Sequence, residues 1–280
     1  MPSNLNIKGL HMATVPVGIF CHIPPLAFLE ETQYNQGSKP AQGQEHGKGR
    51  AAMGGIAYGV GVGPGDPELM TLKAIRLIRE NEIIAVPSRE PEESVAYQIA
   101  RKNVPELAEK TLVPMDTPMV KDRAAMARAH QAGAKILEAY LDQGKNVVYL
   151  TLGDPTIYCT FSYLQKILEA DGYPVELVSG IPSFCAAAAR LGLPLAAWDE
   201  PLHVIPAAHQ TQPSLEEPGT YVLMKSASRM GEVKDLLRRR GRQGKAVENC
   251  GMETERLYHS VEEIPDDAGY FSLIISREKP

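Results

Sequence analysis

A regular alternation of short β-rich runs with helical patterns is the feature that most constrains the fold of this chain. The first strong strand signal is Ile56–Val62, and apolar residues at helical spacing follow it over Glu68–Glu80. Repeated strand–helix units predict a largely parallel sheet covered by helices on both faces. Further strands are predicted at Glu82–Val86, Thr111–Met115, Asn146–Leu152 and Val175–Val178, and helices at Ser94–Lys102, Lys121–Asp142, Tyr158–Ala170 and Ser183–Leu191.

The pattern changes after Gly192–Pro201, whose prolines and acidic residues are typical of a linker. Closely spaced strands follow, with one clear helix at about Ser228–Arg240, and this spacing is typical of a mixed sheet with antiparallel hairpins. We therefore predict two α/β domains joined by a linker, residues 54–195 and 202–280, with a cleft between them. The strands predicted in the second domain are Leu202–Pro206, Tyr221–Met224, Lys245–Cys250, Arg256–Ser260 and Tyr270–Ser276.

Residues 1–53 differ from the rest of the chain. The stretch Gln33–Arg50 is rich in Gln, Gly, Lys and Ser, and such a segment buries too little apolar surface to offset its ordering entropy. We expect the folded protein to begin near Met53, with a disordered extension or a misassigned start before it. A chain that lacks residues 1–52 is expected to keep its activity.

Composition excludes several classes of function. The net charge of -5 disfavours nucleic-acid binding, which requires a clustered basic face, and no apolar run is long enough to span a bilayer. Four scattered cysteines, without a C-x-x-C pair, predict neither a disulfide framework nor a metal site. They are consistent with a reducing cytoplasm.

A glycine-rich turn, Gly59–Pro67, ends the first predicted strand. Gly63 and Gly65 permit a tight turn and close approach of a ligand, while Asp66 and Pro67 suit the start of a helix. The spacing does not match the G-x-G-x-x-G fingerprint of dinucleotide-binding folds.

Two later turns follow strands in the same way. One is Gly153-Asp154-Pro155, and the other is Ser179–Phe184, in which Ser183 is placed to cap a helix or to contact a ligand. Ligands of open α/β sheets bind outside the carboxyl ends of the strands, where all these turns would lie. Each Gly-Asp-Pro turn alone is explained equally well as a helix entry, but two on one sheet edge favour a site.

These three turns, in this order, resemble those of the tetrapyrrole methylase family. The first is followed by Met70–Ala74, similar to the Leu-Thr-Leu-Lys-Ala helix start of that family, and the likeness extends from about Gly55 to the C-terminus. The stretches Tyr149–Tyr158 and Ala186–Pro194 resemble the branch that methylates C-20 of precorrin-2 or cobalt-factor II. Pro182 stands where the family usually has Thr or Ser, so a contact there would come from Ser183 or a carbonyl.

The resemblance implies methyl transfer from S-adenosylmethionine to a tetrapyrrole by a homodimeric enzyme. It implies a general acid–base or positioning role for Asp154, with Tyr158 as the weaker candidate. Basic residues are expected near a substrate that carries eight carboxylates. The implied cofactor contacts are Pro64, Gly153, Asp154, Pro155, Tyr158, Ser183, Met224 and Cys250, and the expected substrate contacts are Gly65, Asp66, Arg89 and Lys225.

Several alternatives remain open at this level. Met224 is explained equally well as core packing, and Asp154 as a structural N-cap. A corrin-pathway methyltransferase with another target carbon shares the fold. A diphthine synthase or an rRNA ribose methylase shares the cofactor architecture, and a binding module without catalysis is a third possibility.

Overall fold

A computed structural model of the chain describes residues 54–116, 122–207 and 215–278, which belong to one compact unit. The expected N-terminal extension, residues 1–53, lies outside the described residues. Two five-stranded sheets and six α-helices make up the described part of the chain. The predicted α/β class with one parallel and one mixed sheet is confirmed.

The first sheet is entirely parallel, with the strand order β3-β2-β4-β1-β5. Every residue of β1 and β4 is buried, as expected for central strands covered on both faces. The strands are β1 (Ala57–Gly61), β2 (Ile83–Val86), β3 (Thr111–Pro114), β4 (Val147–Thr151) and β5 (Val175–Val178).

Helices cover the first sheet on both faces. Alternation along β4 sends Val148 and Leu150 to one face, against α1 and α2, while Val147 and Tyr149 pack against α3 and α4 on the other. Neither α3, the longest described helix, nor any other helix in the described ranges is long and apolar enough to cross a bilayer. The helices are α1 (Leu72–Glu80), α2 (Val95–Asn103), α3 (Arg123–Leu141) and α4 (Phe161–Ala170).

The second sheet is mixed, with the strand order β6-β7-β10-β8-β9. β6 and β7 are parallel, and the remaining pairs are antiparallel. Its elements are β6 (Leu202–Pro206), β7 (Thr220–Met224), α6 (Met230–Arg239), β8 (Gln243–Glu248), β9 (Arg256–Tyr258) and β10 (Ser272–Arg277).

The helix that follows β5 packs on the second sheet. α5 (Ser183–Arg190) places Ala187 and Ala188 in a cluster with Val222 of β7 and Val247 of β8. Small side chains allow this close contact between helix and sheet. The alanine run therefore joins the two sheets, a role that the sequence pattern did not assign to it.

Two predicted helix starts are wrong, whereas the start predicted at Ser183 is confirmed. Asp66 caps only a 3-10 turn at Pro67–Leu69, and α1 begins afterwards with Thr71 as its cap. No helix follows Asp154 directly, because Tyr158 has a φ of 46° and α4 begins only at Phe161. Pro182, rather than Ser183, is the N-cap residue of α5.

The turns after β1, β4 and β5 pack backbone against backbone. Gly153 N–H donates to the Gly63 carbonyl at 2.8 Å, and Gly63 N–H donates back at 3.3 Å. Both glycines have positive φ, 78° for Gly63 and 75° for Gly153. A Cβ on Gly180 would lie 2.1 Å from the Gly153 carbonyl oxygen, and one on Gly61 would lie 2.5 Å from the same atom. Only residues without a side chain allow this approach.

Replacing Gly180 with alanine is expected to lower the free energy of unfolding by about 1–3 kcal/mol, because the new Cβ forces backbone apart. The melting temperature should fall by roughly 2–4 °C for each kcal/mol. Gly231→Ala is the control, since its Cβ would meet nothing within 4 Å in α6. Alanine there should leave the melting temperature unchanged or raise it. Equal melting temperatures for Gly180→Ala and the wild type would contradict the tight packing.

Candidate active site

The Asp154 carboxylate connects the second turn to the third by a hydrogen bond. Its Oδ2 accepts a hydrogen bond from Gly180 N–H at 3.0 Å, and its Oδ1 accepts from Thr156 N–H at 2.8 Å and from Thr156 Oγ1 at 2.5 Å. The residue is only 7% exposed. Both carboxylate oxygens are therefore occupied by donors of the protein itself, which gives Asp154 a structural task at the sheet edge.

The turn after β8 in the second sheet closes against the first turn. A Cβ on Gly65 would lie 2.0 Å from the Cys250 carbonyl oxygen, and one on Gly251 would lie 2.5 Å from Asp66 N. Gly251 also has a positive φ of 75°. The two sheets thus meet through glycine backbone at the place where the three turns of the first sheet converge.

A cleft of about 430 Å³ opens between these turns and the second sheet. This volume lies within the range of small-molecule sites. Eight residues predicted for the site line it together: Pro64, Gly153, Asp154, Tyr158, Ser183, Met224, Lys225 and Cys250.

Four other predicted residues lie outside this lining. Pro155 is buried beneath its turn, and Gly65 is buried where the two sheets meet. Asp66 lines a neighbouring groove of about 470 Å³. Arg89 is exposed and pairs with Asp116 at 2.8 Å. The expected substrate contacts are therefore dispersed, and only Lys225 among them lines the cleft.

Tyr158 connects the second Gly-Asp-Pro turn to the second sheet. Its hydroxyl donates to the Val204 carbonyl of β6 at 2.8 Å, while its side chain is 45% exposed. The left-handed backbone at this residue turns the chain before α4 begins. Such strained backbone recurs at ligand sites.

Lys225 reaches across the cleft from the end of β7. Its backbone is also left-handed, with a φ of 57°, and its Nζ donates to the Tyr158 carbonyl at 3.3 Å. The same nitrogen lies 6.0 Å from the centre of the Tyr158 ring. Burial lowers the pKa of Lys225, and the nearby Cys159 thiol acts in the opposite direction.

Cys250 lies beside Met224 in the lining of the cleft. Burial, assisted by the carboxylate of Glu255, raises the pKa of the Cys250 thiol to about 11. The thiol therefore stays neutral near pH 7 and packs as a small apolar group beside Met224.

Sequence reasoning missed two groups of lining residues. The loop between β2 and α2 contributes Pro87, Ser88 and Ser94. Tyr270 and Phe271 stand before β10 with their rings edge to face, 5.2 Å apart. Tyr270 was predicted within a strand, but it stands two residues before β10 begins at Ser272.

Comparison with known proteins gives a consistent assignment. The family model of the Tetrapyrrole (Corrin/Porphyrin) Methylases matches residues 57–265. A probable cobalt-precorrin-2 C(20)-methyltransferase of Methanocaldococcus jannaschii is 38% identical over 175 residues, which cover 60% of this chain and 71% of the relative. A cobalt-precorrin-2 C(20)-methyltransferase of Salmonella typhimurium is 32% identical over 80% of this chain and 96% of its own length.

A solved structure agrees with these relatives. The uroporphyrin-III C-methyltransferase of Thermus thermophilus, in complex with S-adenosyl homocysteine, is 27% identical, with a TM-score of 0.57. The match covers 80% of this chain and 98% of that protein.

Asp154→Asn is expected to destabilise the fold. The amide NH2 of asparagine is a donor, and it would face the N–H of either Gly180 or Thr156. Loss of the buried bond to Gly180 N–H should cost about 1–3 kcal/mol in the free energy of unfolding. The matched control is Asp66→Asn, where the side chain accepts only from Glu68 N–H at an exposed turn. Asparagine caps such turns well, so this control should unfold like the wild type. Chemical denaturation compares the two, and equal stability of both variants would contradict the structural role of Asp154.

Proposed function

This chain belongs to the tetrapyrrole methylase family, and from that premise we propose that it transfers the methyl group of S-adenosylmethionine to C-20 of precorrin-2 or of its cobalt-containing counterpart. The reaction class is that of an S-adenosylmethionine-dependent C-methyltransferase. The target carbon is supported by relatives that carry C(20) in their names. A corrin-pathway methyltransferase with another target carbon is the alternative.

The observation that carries the proposal is the cleft in which three turns of the first sheet face Met224 and Cys250 of the second. Its chemistry fits S-adenosylmethionine. Pro64 and Met224 supply apolar surface for an adenine ring, while the backbone at Gly153 and the hydroxyl of Ser183 supply polar groups for the amino-acid end.

The proposed reaction does not require a covalent bond between the protein and either substrate. S-adenosylmethionine supplies a methyl group already activated on a sulfonium centre, so the enzyme has mainly to align it with the acceptor carbon. Rigid placement is what the packed turns provide, since Gly153 is held by Gly63 and Asp154 by Gly180. The neutral thiol of Cys250 is consistent with transfer without a covalent enzyme intermediate.

Binding of the tetrapyrrole is proposed at the open side of the cleft. Lys225 is the one expected substrate contact inside the lining, and the Tyr270–Phe271 pair offers aromatic surface for a flat macrocycle. Arg89 follows the lining residues Pro87 and Ser88 and is exposed beside Asp116. We assign Arg89 to the propionate and acetate groups at the rim.

Two further features belong to the proposal. We place the enzyme in the cytoplasm and regard it as a homodimer, which sedimentation of the purified protein would test. The residue ranges 54–195 and 202–280 are proposed as its two domains.

Arg89→Ala is expected to raise KM for the tetrapyrrole a few-fold while leaving kcat and the melting temperature unchanged, because an exposed charge acts on substrate capture. The effect should shrink at high salt, which screens exposed charges. Arg76→Ala is the control, since Arg76 forms a comparable exposed pair with Glu80 on α1. An unchanged KM for Arg89→Ala would remove this residue from the substrate site.

The decisive experiment uses S-adenosylmethionine with a ¹³C-labelled methyl group and either precorrin-2 or cobalt-precorrin-2. We expect the label at C-20 of the product, located by NMR. A label at another ring carbon would establish the alternative activity. Absence of transfer to both tetrapyrroles, despite binding of S-adenosylmethionine in a titration, would refute the proposed function.

A further inference from the structure

Very few side chains in the cleft are able to take up a proton. Among the described residues that line it, Asp154 is the only carboxylate and Lys225 the only cationic side chain. The other titratable lining groups are tyrosines and the thiols of Cys159 and Cys250. Replacement of hydrogen by methyl at a ring carbon releases one proton. If a side chain accepts this proton, it should be one of the few titratable groups that line the cleft.

Asp154 is poorly suited to the task. Its two oxygens already accept three hydrogen bonds from Gly180 and Thr156, and it is 7% exposed. Protonation would replace an acceptor with a donor opposite a backbone N–H. The bonds that hold the second and third turns together would then be disrupted in every catalytic cycle.

The remaining candidates are thiols and phenols, which are acids rather than bases in their neutral forms. Burial raises the pKa of both cysteine thiols, Cys159 and Cys250. Tyr158 donates its hydroxyl proton to the Val204 carbonyl. Burial also raises the pKa of Tyr270. A lysine side chain that has lost its proton is, by contrast, a base with a free lone pair.

Lys225 has the required placement. A left-handed backbone at the end of β7 carries its side chain over the Tyr158 ring, and one N–H is held by the Tyr158 carbonyl. Asp154 is the one carboxylate among the described lining residues, and its oxygens are engaged by Gly180 and Thr156. The other titratable lining groups are Tyr149, Tyr158, Tyr270 and the thiols of Cys159 and Cys250. Partial burial lowers the pKa of Lys225 and so favours its neutral amine.

We propose that Lys225 is the base that accepts the proton from C-20, an inference that rests on the proposed function. In the first step the methyl–sulfur bond breaks and a methyl–C-20 bond forms with an electron pair of the macrocycle. In the second step the C-20–H bond breaks, its electron pair returns to the macrocycle, and the neutral Nζ becomes an ammonium group. The ammonium then loses its proton to water through the open side of the cleft.

Two variants separate a base from a binding charge. Lys225→Arg keeps a positive charge that is never lost near neutral pH, so KM for precorrin-2 should stay close to the wild-type value while kcat falls about 100-fold or more. Lys225→Gly removes the side chain and suits the left-handed backbone, so this variant should fold at least as well as the wild type. Titration with S-adenosylmethionine should give wild-type affinity for both variants.

Two further measurements distinguish a base from a residue with only a structural role. They are the dependence of kcat on pH and the recovery of activity when an amine is added to Lys225→Gly. The kcat of the wild type should rise with pH as Lys225 deprotonates, and Lys225→Gly should lose this dependence. Methylamine added to Lys225→Gly should restore turnover in proportion to its free-base concentration.

The outcomes are distinct. Wild-type kcat in Lys225→Arg, or a raised KM with unchanged kcat, would overturn the proposal and leave Lys225 as a carboxylate-binding group. Loss of kcat in Lys225→Gly without rescue by methylamine would also overturn it. If the wild type methylates neither tetrapyrrole, the proposed function fails and the inference with it, whereas active wild type with active Lys225→Arg refutes the inference alone.

Discussion

The paired hydrogen bonds between Gly63 and Gly153 are the contact on which the rest of the site depends. They join the turn after β1 to the turn after β4, two strands that already lie side by side. The turn after β5 can then approach so closely that a single added methyl at Gly180 would overlap the Gly153 carbonyl. The edge of the sheet is therefore a closely packed backbone surface, and the Asp154 carboxylate bridges the second and third turns.

The close packing of the turns also decides which task each polar residue has. Asp154 is 7% exposed and its carboxylate holds the Gly180 amide, so it has a structural task in the packing of the turns. Lys225 and Tyr158, both on left-handed backbone, come from different sheets and meet through one hydrogen bond across the cleft. The packed turns lie on one side of the cleft, and the two left-handed residues lie on the other. This arrangement is consistent with an enzyme that aligns a methyl donor with its acceptor.

Much of the fold was predictable because each element carries a local signal. The strand at Val175–Val178 was predicted with the observed bounds, and the helix predicted at Ser94–Lys102 differs by one residue at each end. The errors fall where tertiary contacts override local pattern. The apolar run after Pro155 indicates a helix, but Tyr158 bends away to bond Val204 in the other sheet, which delays α4 to Phe161. Tyr270 has strand-like neighbours, yet it stands outside β10 and faces the cleft.

By itself, the sequence determined the α/β class, the three glycine turns and the family, because these rest on spacing and on residues whose backbone preferences are intrinsic. It did not determine what each polar side chain does. Asp66 and Asp154 occupy the same place in similar turns, but one accepts a single exposed bond and the other accepts three, one of them from Gly180. That difference arises because the Asp154 side chain reaches the Gly180 amide in the turn after β5, although β5 pairs with β1 and not with β4. Only the tertiary structure decides such a contact between turns.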